Sequence, residues 1–154
     1  MLPPTTRRVA DNSSAVANAR IRQRTEKNVI YYARNPALIE MRLRELDREW
    51  DIERVLETSS STLSLAGFVL AITRRNRRWL LLPFGVSAFM LQHALQGWCP
   101  PIPLLRRLGV RTAAEIDAER YALKALRGDF ERQAHLPGSF RQIARRALEA
   151  TDAG

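Results

Sequence analysis

The sequence WLLLPFGVSAFMLQHALQGW (residues 79–98) carries no charged side chain, and neither does SSTLSLAGFVLAIT (residues 60–73) shortly before it. A helix needs about 20 predominantly apolar residues to cross a bilayer, so residues 79–98 are long enough by themselves. Residues 60–73 are long enough if the residues just before them also lie at membrane depth, where Ser and Thr hydroxyls bond to carbonyls of the preceding turn. We therefore predict a two-helix transmembrane hairpin over residues 58–98.

Several features favour this hairpin over the alternative, a buried hairpin in a soluble all-α domain. The rest of the chain is mostly charged and offers little apolar surface for a core that could bury both stretches. Trp79 and Trp98 bracket the second stretch, and aromatic residues mark membrane–water interfaces. Ser64, Ala66 and Gly67 would let a neighbouring helix approach closely.

The flanking segments complete an all-α fold class, a membrane helical hairpin flanked by amphipathic helices. Residues 1–35 are polar and basic with weak apolar periodicity, which predicts a disordered arm. Residues 36–57 predict one amphipathic helix. Its apolar face has spacings of four, three and four and consists of Ile39, Leu43, Leu46 and Trp50.

Residues 99–154 predict a Pro-rich exit segment and further amphipathic helices. The three prolines in PPIP should keep the chain extended. A helix should then begin at the capping box formed by Thr112 and Glu115 and end near Gly128, and a short last helix should start at Ser139. The apolar face of the first helix consists of Ile116, Leu123, Leu126 and Phe130. Both apolar faces are candidate interfaces, with each other, with lipid headgroups or with a partner subunit.

The net charge of +9 requires an anionic partner. The loop between the uncharged stretches, RRNRR, is the densest basic segment and could bind acidic headgroups at about 1 kcal/mol per residue, although a solvated loop is the simpler alternative. Its arginines are Arg74, Arg75, Arg77 and Arg78. Nucleic acid is not favoured as the partner, because the basic helices are mixed with acids and no aromatic stacking platform is visible.

Cys99 is the only cysteine and follows the second stretch directly. As a thiolate it could accept sulfur, bind a metal or respond to oxidants, and Arg106 and Arg107 could lower its pKa. The alternative, which we favour, is a small buried residue that packs at a helix end.

His93 is the one histidine inside the predicted hairpin. A histidine at membrane depth is a functional candidate because burying its polar ring is costly. We expect a polar helix–helix contact that involves His93 and Gln96 rather than a metal or haem ligand, since the only other histidine, His135, is distant in sequence.

The sequence offers no catalytic motif. It lacks a Gly-x-Ser-x-Gly elbow, a His-Glu-x-x-His pair and a phosphate-binding loop. We therefore expect no enzyme activity and no cofactor.

The segment GWCPPIPLLRRLGVRT, residues 97–112, resembles the end of the YgaP-like transmembrane domain, a bacterial two-helix inner-membrane module that is sometimes fused to a rhodanese domain. The resemblance covers about residues 50–112. It implies a cytoplasmic N-terminus and a link to sulfur handling, but this sequence has neither a rhodanese domain nor a second cysteine after Thr112. The matching positions are Gly97, Cys99, Pro100, Leu108, Gly109, Val110 and Thr112.

Together these observations predict a non-enzymatic anchor, scaffold or accessory subunit of a membrane complex, in the bacterial inner membrane with both termini in the cytoplasm. The loop arginines by themselves would place the loop in the cytoplasm instead. Its partners would be anionic lipid headgroups and other membrane-protein subunits. The alternatives are a sulfur-handling or redox role for Cys99 with a partner enzyme, and a soluble helical protein that binds an acidic partner.

Overall fold

The computed structural model describes residue 4 and residues 6–130, and within them the chain is all-α, as predicted. The helical segments of the described residues, in chain order, are α1 (Arg8–Asp11), α2 (Ala15–Arg34), a 3₁₀ turn (Pro36–Leu38), α3 (Ile39–Arg48), α4 (Ile52–Thr73), a second 3₁₀ turn (Arg77–Leu80), α5 (Leu81–Gln96), α6 (Ile102–Arg107) and α7 (Ala113–Arg127). The short helix predicted from Ser139 lies outside the described residues.

The chain divides into two compact units. The first unit contains the described residues up to Ile21 together with Trp50–Ala113, and the second contains Arg22–Glu49 together with the described residues from Ala114 onwards. The division falls within α2.

The basic arm predicted to be disordered is largely helical, because it contains α1 and α2. Few residues in α2 are large and apolar, which hid the helix from a periodicity argument. Its Ala, Arg, Gln, Glu and Lys residues nevertheless have high helix propensity. Ser14 Oγ accepts a hydrogen bond from the Ala17 N–H at 3.2 Å near the start of α2. Ala17 and Ile21 are buried, so packing stabilises this part of the helix.

The amphipathic helix predicted over residues 36–57 is interrupted at residues 49–51. Glu49 and Asp51 have extended backbone conformations, and a new helix, α4, begins at Ile52. Asp51 caps α4 because its Oδ1 accepts a hydrogen bond from the Arg54 N–H at 2.8 Å. The Ile52 N–H donates to the Arg111 carbonyl at 2.8 Å, a contact between distant parts of the chain that sequence periodicity cannot predict.

The Pro-rich exit is helical rather than extended, because it contains α6. Pro101 precedes the helix and Pro103 lies in its first turn, where a missing N–H costs no intrahelical hydrogen bond. The predicted end of α7 at Gly128 agrees with the structure. Gly128 has a φ of +83°, and the Asp129 N–H donates to the Lys124 carbonyl at 3.2 Å, which closes the helix end.

In the first unit, α4 and α5 run antiparallel and pack against each other. Glu53 at the start of α4 contacts His93 near the end of α5, and Gly67 farther along α4 lies against Pro83. The small core of this unit lies at the end where α4 begins and α5 finishes, which we call the base. This core consists of Val9, Ile52, Leu56, Cys99 and Ile102.

In the second unit, the apolar faces predicted on α3 and α7 form one buried cluster against which Tyr32 packs. The cluster consists of Ile39, Leu43, Leu46, Ile116 and Leu123. The other predicted members of these faces, Trp50, Leu126 and Phe130, are exposed. Trp50 belongs to the first unit, where the Arg54 guanidinium lies 4.5 Å from the centre of its ring.

Gly67 sets how closely α4 approaches α5. A Cβ at this position would lie 2.5 Å from Pro83 Cδ, and a proline ring cannot rotate away. We expect Gly67→Ala to lower the free energy of unfolding of the protein by about 1–3 kcal/mol through overpacking. Thermal unfolding followed by circular dichroism measures this effect.

Gly85 provides the matched control for this prediction. It lies in α5, and a Cβ there would meet no atom within 4 Å. Gly85→Ala should therefore be neutral or stabilising by up to about 1 kcal/mol, because Ala has the higher helix propensity. Equal destabilisation by the two substitutions would contradict close packing at Gly67.

Candidate functional site

The outer surfaces of α4 and α5 form an exposed apolar surface, which we call the apolar belt. One helical stretch of the described residues contains an 18-residue window apolar enough to cross a membrane, with a mean hydropathy of 1.4. The helical stretch includes both α3 and α4. Because α3 contains many charged residues, the apolar window lies in α4. Only 11% of the window is buried, whereas a core helix of a soluble protein would be mostly buried. The exposed residues of the belt are Leu63, Leu65, Phe68, Val69, Ile72, Leu81, Leu82, Phe84, Phe89, Leu91 and Leu95.

The far end of the α4–α5 pair, here called the tip, is strongly basic. All four loop arginines are exposed, and none makes an ion pair with another described residue. The loop is nevertheless ordered by hydrogen bonds. Asn76 Oδ1 accepts from the Arg78 N–H at 3.0 Å, and the Trp79 N–H donates to the Asn76 carbonyl at 3.2 Å. Arg75 reverses the chain with a φ of +48°.

At the base, a partly buried polar cluster joins α1, α4 and α5. His93 is almost fully buried, and its Nε2 donates to Glu53 Oε2 at 2.7 Å. Arg8 donates from its guanidinium to the other Glu53 oxygen, Oε1, at 3.0 Å. Burial raises the pKa of the Glu53 carboxyl, but the hydrogen bonds from His93 and Arg8 outweigh burial and hold this pKa below its ordinary value of 4.5.

The partner of His93 is therefore Glu53 rather than Gln96, which the sequence suggested. The Gln96 side chain is exposed, and only its backbone carbonyl takes part in the base, as acceptor for Asn12 Nδ2 at 2.8 Å. Glu53 and His93 are 40 residues apart in sequence, so periodicity gave no signal that they meet.

Gly97 allows α1 to pack closely against the end of α5. Its φ of +77° ends the helix, and its N–H donates to the His93 carbonyl at 2.7 Å. A Cβ at Gly97 would lie 2.5 Å from the Arg8 carbonyl oxygen, so only glycine permits this approach. The end of α5 is thus also the point where α1 packs.

Cys99 is buried in the core of the first unit, and burial raises the pKa of its thiol. Arg106, which could have lowered this pKa, donates instead to Asn18 Oδ1 at 2.8 Å and to the Val110 carbonyl at 3.2 Å. The thiol form is therefore favoured at neutral pH, and a thiol is a weaker nucleophile and metal ligand than a thiolate.

A cavity of about 190 Å³ lies between α4 and α5 beside Cys99. Two serines in its wall donate their hydroxyl protons to the helix backbone, Ser59 to the Val55 carbonyl at 2.7 Å and Ser60 to the Glu57 carbonyl at 3.1 Å. The cavity therefore presents an almost wholly apolar lining. Its wall consists of Leu56, Ser59, Ser60, Leu63, Val86, Phe89, Met90, Cys99, Pro100 and Pro101.

The second unit contains a buried charged network that sequence reasoning missed. Glu119 is fully buried, and its Oε1 accepts from Arg42 Nε at 2.9 Å and from Asn28 Nδ2 at 3.1 Å. Arg42 also donates to Glu45 Oε2 at 2.9 Å. Burial lowers the pKa of Arg42, but the hydrogen bonds to Glu119 and Glu45 raise it above its ordinary value overall. This network joins α2, α3 and α7 within the second unit.

The described residues contain no group of three or more His, Cys, Asp or Glu side chains placed to hold a metal ion. Comparison of the chain with models of known protein families, with curated proteins and with solved structures finds no match. The similarity to the YgaP-like transmembrane domain therefore stays a prediction.

The polar cluster at the base makes the stability of the first unit depend on pH, with stability lost in acid. Because the folded-state pKa of Glu53 lies below 4.5, its carboxylate stabilises the fold above that pH, and this contribution is lost as the pH falls through the lowered pKa. We expect Glu53→Gln to lower the free energy of unfolding at pH 7 by about 1 kcal/mol or more and to reduce the further loss on acidification.

Melting temperatures measured between pH 7 and pH 3 test this expectation. Glu57→Gln is the control, since Glu57 is an exposed carboxylate one turn along the same helix. It should keep the pH dependence of the unmodified protein. An unchanged pH dependence in Glu53→Gln would show that this carboxylate is not the acid-sensitive group.

Proposed function

We propose that this chain is an integral protein of the bacterial inner membrane, in which the α4–α5 pair enters the bilayer and the rest of the chain acts as a non-enzymatic anchor, scaffold or accessory subunit. The observation that carries this proposal is the apolar belt. Monomeric soluble proteins rarely expose a contiguous apolar surface of this extent, and a lipid or protein partner has to cover it. Lipid is favoured because both helices of the pair are uncharged from residue 58 to 73 and from 79 to 98.

The tip also supports insertion of the α4–α5 pair into the membrane. Its four arginines are exposed and form no ion pair with another described residue. They lie directly beyond the apolar belt, where anionic headgroups would meet them, and each is worth about 1 kcal/mol near such a surface. Trp79 is partly exposed next to these arginines, at the level where aromatic side chains anchor helices to the interface. The partners that we propose for the tip are therefore anionic lipids.

We further propose that the base and both termini are cytoplasmic and that the tip reaches the opposite side. The similarity to the YgaP-like module supports this topology, whereas the tip arginines by themselves favour a cytoplasmic tip. The scaffold role is supported by the second unit, which has its own apolar core and exposes Tyr31, Tyr121 and Leu126 as candidate contacts for another subunit.

Extraction of isolated membranes with alkaline carbonate tests the membrane assignment. An integral protein stays in the pellet, and recovery in the supernatant would contradict the proposal.

Topology is tested on a Cys99→Ser background with one new cysteine at either end, Asn76→Cys at the tip or Arg54→Cys at the base. A membrane-impermeant maleimide should label Asn76→Cys in intact spheroplasts and Arg54→Cys only after lysis, and the reverse pattern would place the tip in the cytoplasm.

A sulfur-handling role for Cys99 remains the second candidate, supported by the Cys-Pro pair that the YgaP-like module shares. The burial and the raised pKa of this thiol count against it. We expect Cys99→Ser to retain membrane integration, co-purifying partners and cellular phenotype. Co-purification in mild detergent and growth of the substituted strain measure these properties, and loss of phenotype with intact partners would favour sulfur chemistry.

A further inference from the structure

Resting on the proposed membrane insertion, we propose that the cavity between α4 and α5 binds one acyl chain of a membrane phospholipid. The site would give this protein a specifically bound lipid, in addition to the lipids that surround it. The chemistry that recognises the ligand is hydrocarbon packing, since the wall offers almost no polar atom.

The cavity opens onto the apolar belt, so a lipid chain could enter it from the bilayer. Leu63 and Phe89 line it and are also half exposed as members of the apolar belt, so the cavity is continuous with the surface that lipid chains would cover. From Leu56 to Leu63 its wall follows about 10 Å of α4. A chain that lies along the helix pair would therefore fill the cavity lengthwise and end near Cys99 at the boundary of the predicted span.

The volume and the apolar wall favour hydrocarbon over water as the occupant. A void lined by apolar side chains costs free energy in proportion to its volume, and apolar cavities of about 150 Å³ stay dry and take up small hydrophobic molecules. This one measures about 190 Å³, and its two serine hydroxyls already donate to backbone carbonyls, so it offers little to hold water. Hydrocarbon is the occupant that the surrounding medium supplies.

The proposal is tested by filling the cavity. Ser60→Phe places a ring in the cavity wall, and Ser61→Phe places the same ring at the exposed neighbouring position, which is not part of the wall. Each protein is purified in a maltoside detergent, mixed with phosphatidylethanolamine and phosphatidylglycerol, and examined by native mass spectrometry. The unmodified protein and Ser61→Phe should retain one lipid that Ser60→Phe binds about tenfold more weakly or not at all, the loss expected when at least two buried methylene groups are excluded.

A second pair of variants covers the case in which Ser60→Phe does not fold. Val86→Phe fills the cavity from α5, and Ala88→Phe is its exposed control outside the wall. Circular dichroism establishes that each variant is folded. Equal lipid retention in a folded cavity-filling variant and its control would overturn the proposal. A dimer that is lost in the filling variants, with no retained lipid, would also overturn it, because the occupant would then be a second copy of the chain.

Carbonate extraction of the same variants separates the two proposals. If the unmodified protein is released into the supernatant, membrane insertion fails and the lipid site fails with it. If every variant stays in the pellet while lipid retention does not depend on residue 60 or 86, insertion stands and only the lipid site is wrong.

Discussion

Replacing Leu65 with Asp is expected to prevent stable insertion of the α4–α5 pair into the membrane. Leu65 lies near the middle of the uncharged part of α4, and its side chain is 65% exposed on the apolar belt. Exchanging Leu for Asp at the centre of a membrane helix costs about 3–4 kcal/mol of insertion free energy. An equilibrium between inserted and released protein would shift by more than about a hundredfold, which moves the protein out of the carbonate-resistant pellet.

The same substitution has the opposite expectation in a soluble protein. There an exposed Leu→Asp exchange changes stability by no more than about 0.5 kcal/mol and improves solubility. The matched control is Leu104→Asp, because Leu104 is 61% exposed but lies in α6, outside residues 58–98. If Leu65→Asp and Leu104→Asp remain equally in the pellet, the apolar belt does not face lipid. If Leu65→Asp only raises the yield of soluble protein, the chain is a soluble helical protein.

Replacing Arg42 with Met is expected to destabilise the second unit by about 3 kcal/mol. Arg42 is a cation that lies 2.9 Å from the fully buried Glu119, and removing one partner of a buried ion pair is strongly destabilising. For a chain of this length the loss corresponds to a fall in melting temperature of about 10 °C. Thermal unfolding and amide exchange of α7 measure it.

Arg44→Met is the control on the same helix. Arg44 lies 3.8 Å from Glu40, and both side chains are mostly exposed, so its removal should cost no more than about 0.5 kcal/mol. Adding Glu119→Gln to Arg42→Met should restore part of the lost stability, because the buried negative charge is then gone. Equal effects of Arg42→Met and Arg44→Met would mean that the buried pair contributes nothing to the unit.

Local patterns predicted some elements of the fold well. The apolar spacing identified five residues that α3 and α7 bury out of the eight it indicated, and Gly128 ends α7 as expected of a glycine beyond the last turn. The small residue Gly67 does allow close packing against Pro83. Each of these features depends on residues within one helix or on the intrinsic conformational freedom of glycine, so a single sequence contains the information.

The candidate site was less predictable because its contacts join distant parts of the chain. The sequence indicates that His93 needs a polar partner but does not indicate that Glu53 is that partner. The position of Glu53 near the start of α4 depends on a new helix beginning at Ile52. The pairing of Arg42 with Glu119 also gives no signal in the sequence, because the two residues are 77 positions apart. The helix in residues 1–35 is not predictable from periodicity, because helix propensity and a few buried residues stabilise it rather than an apolar stripe.

The modest length of α5 has a consequence for where in a cell the protein would gather. Its 16 residues extend about 24 Å, and the uncharged part of α4 is similar, whereas the hydrocarbon layer of a typical bilayer is about 30 Å thick. Such hydrophobic mismatch is relieved when the bilayer thins locally around the helices and the long arginine side chains of the tip extend to the headgroups. The protein would then concentrate in thin regions of membrane and beside other proteins with short spans, without any direct contact between the proteins.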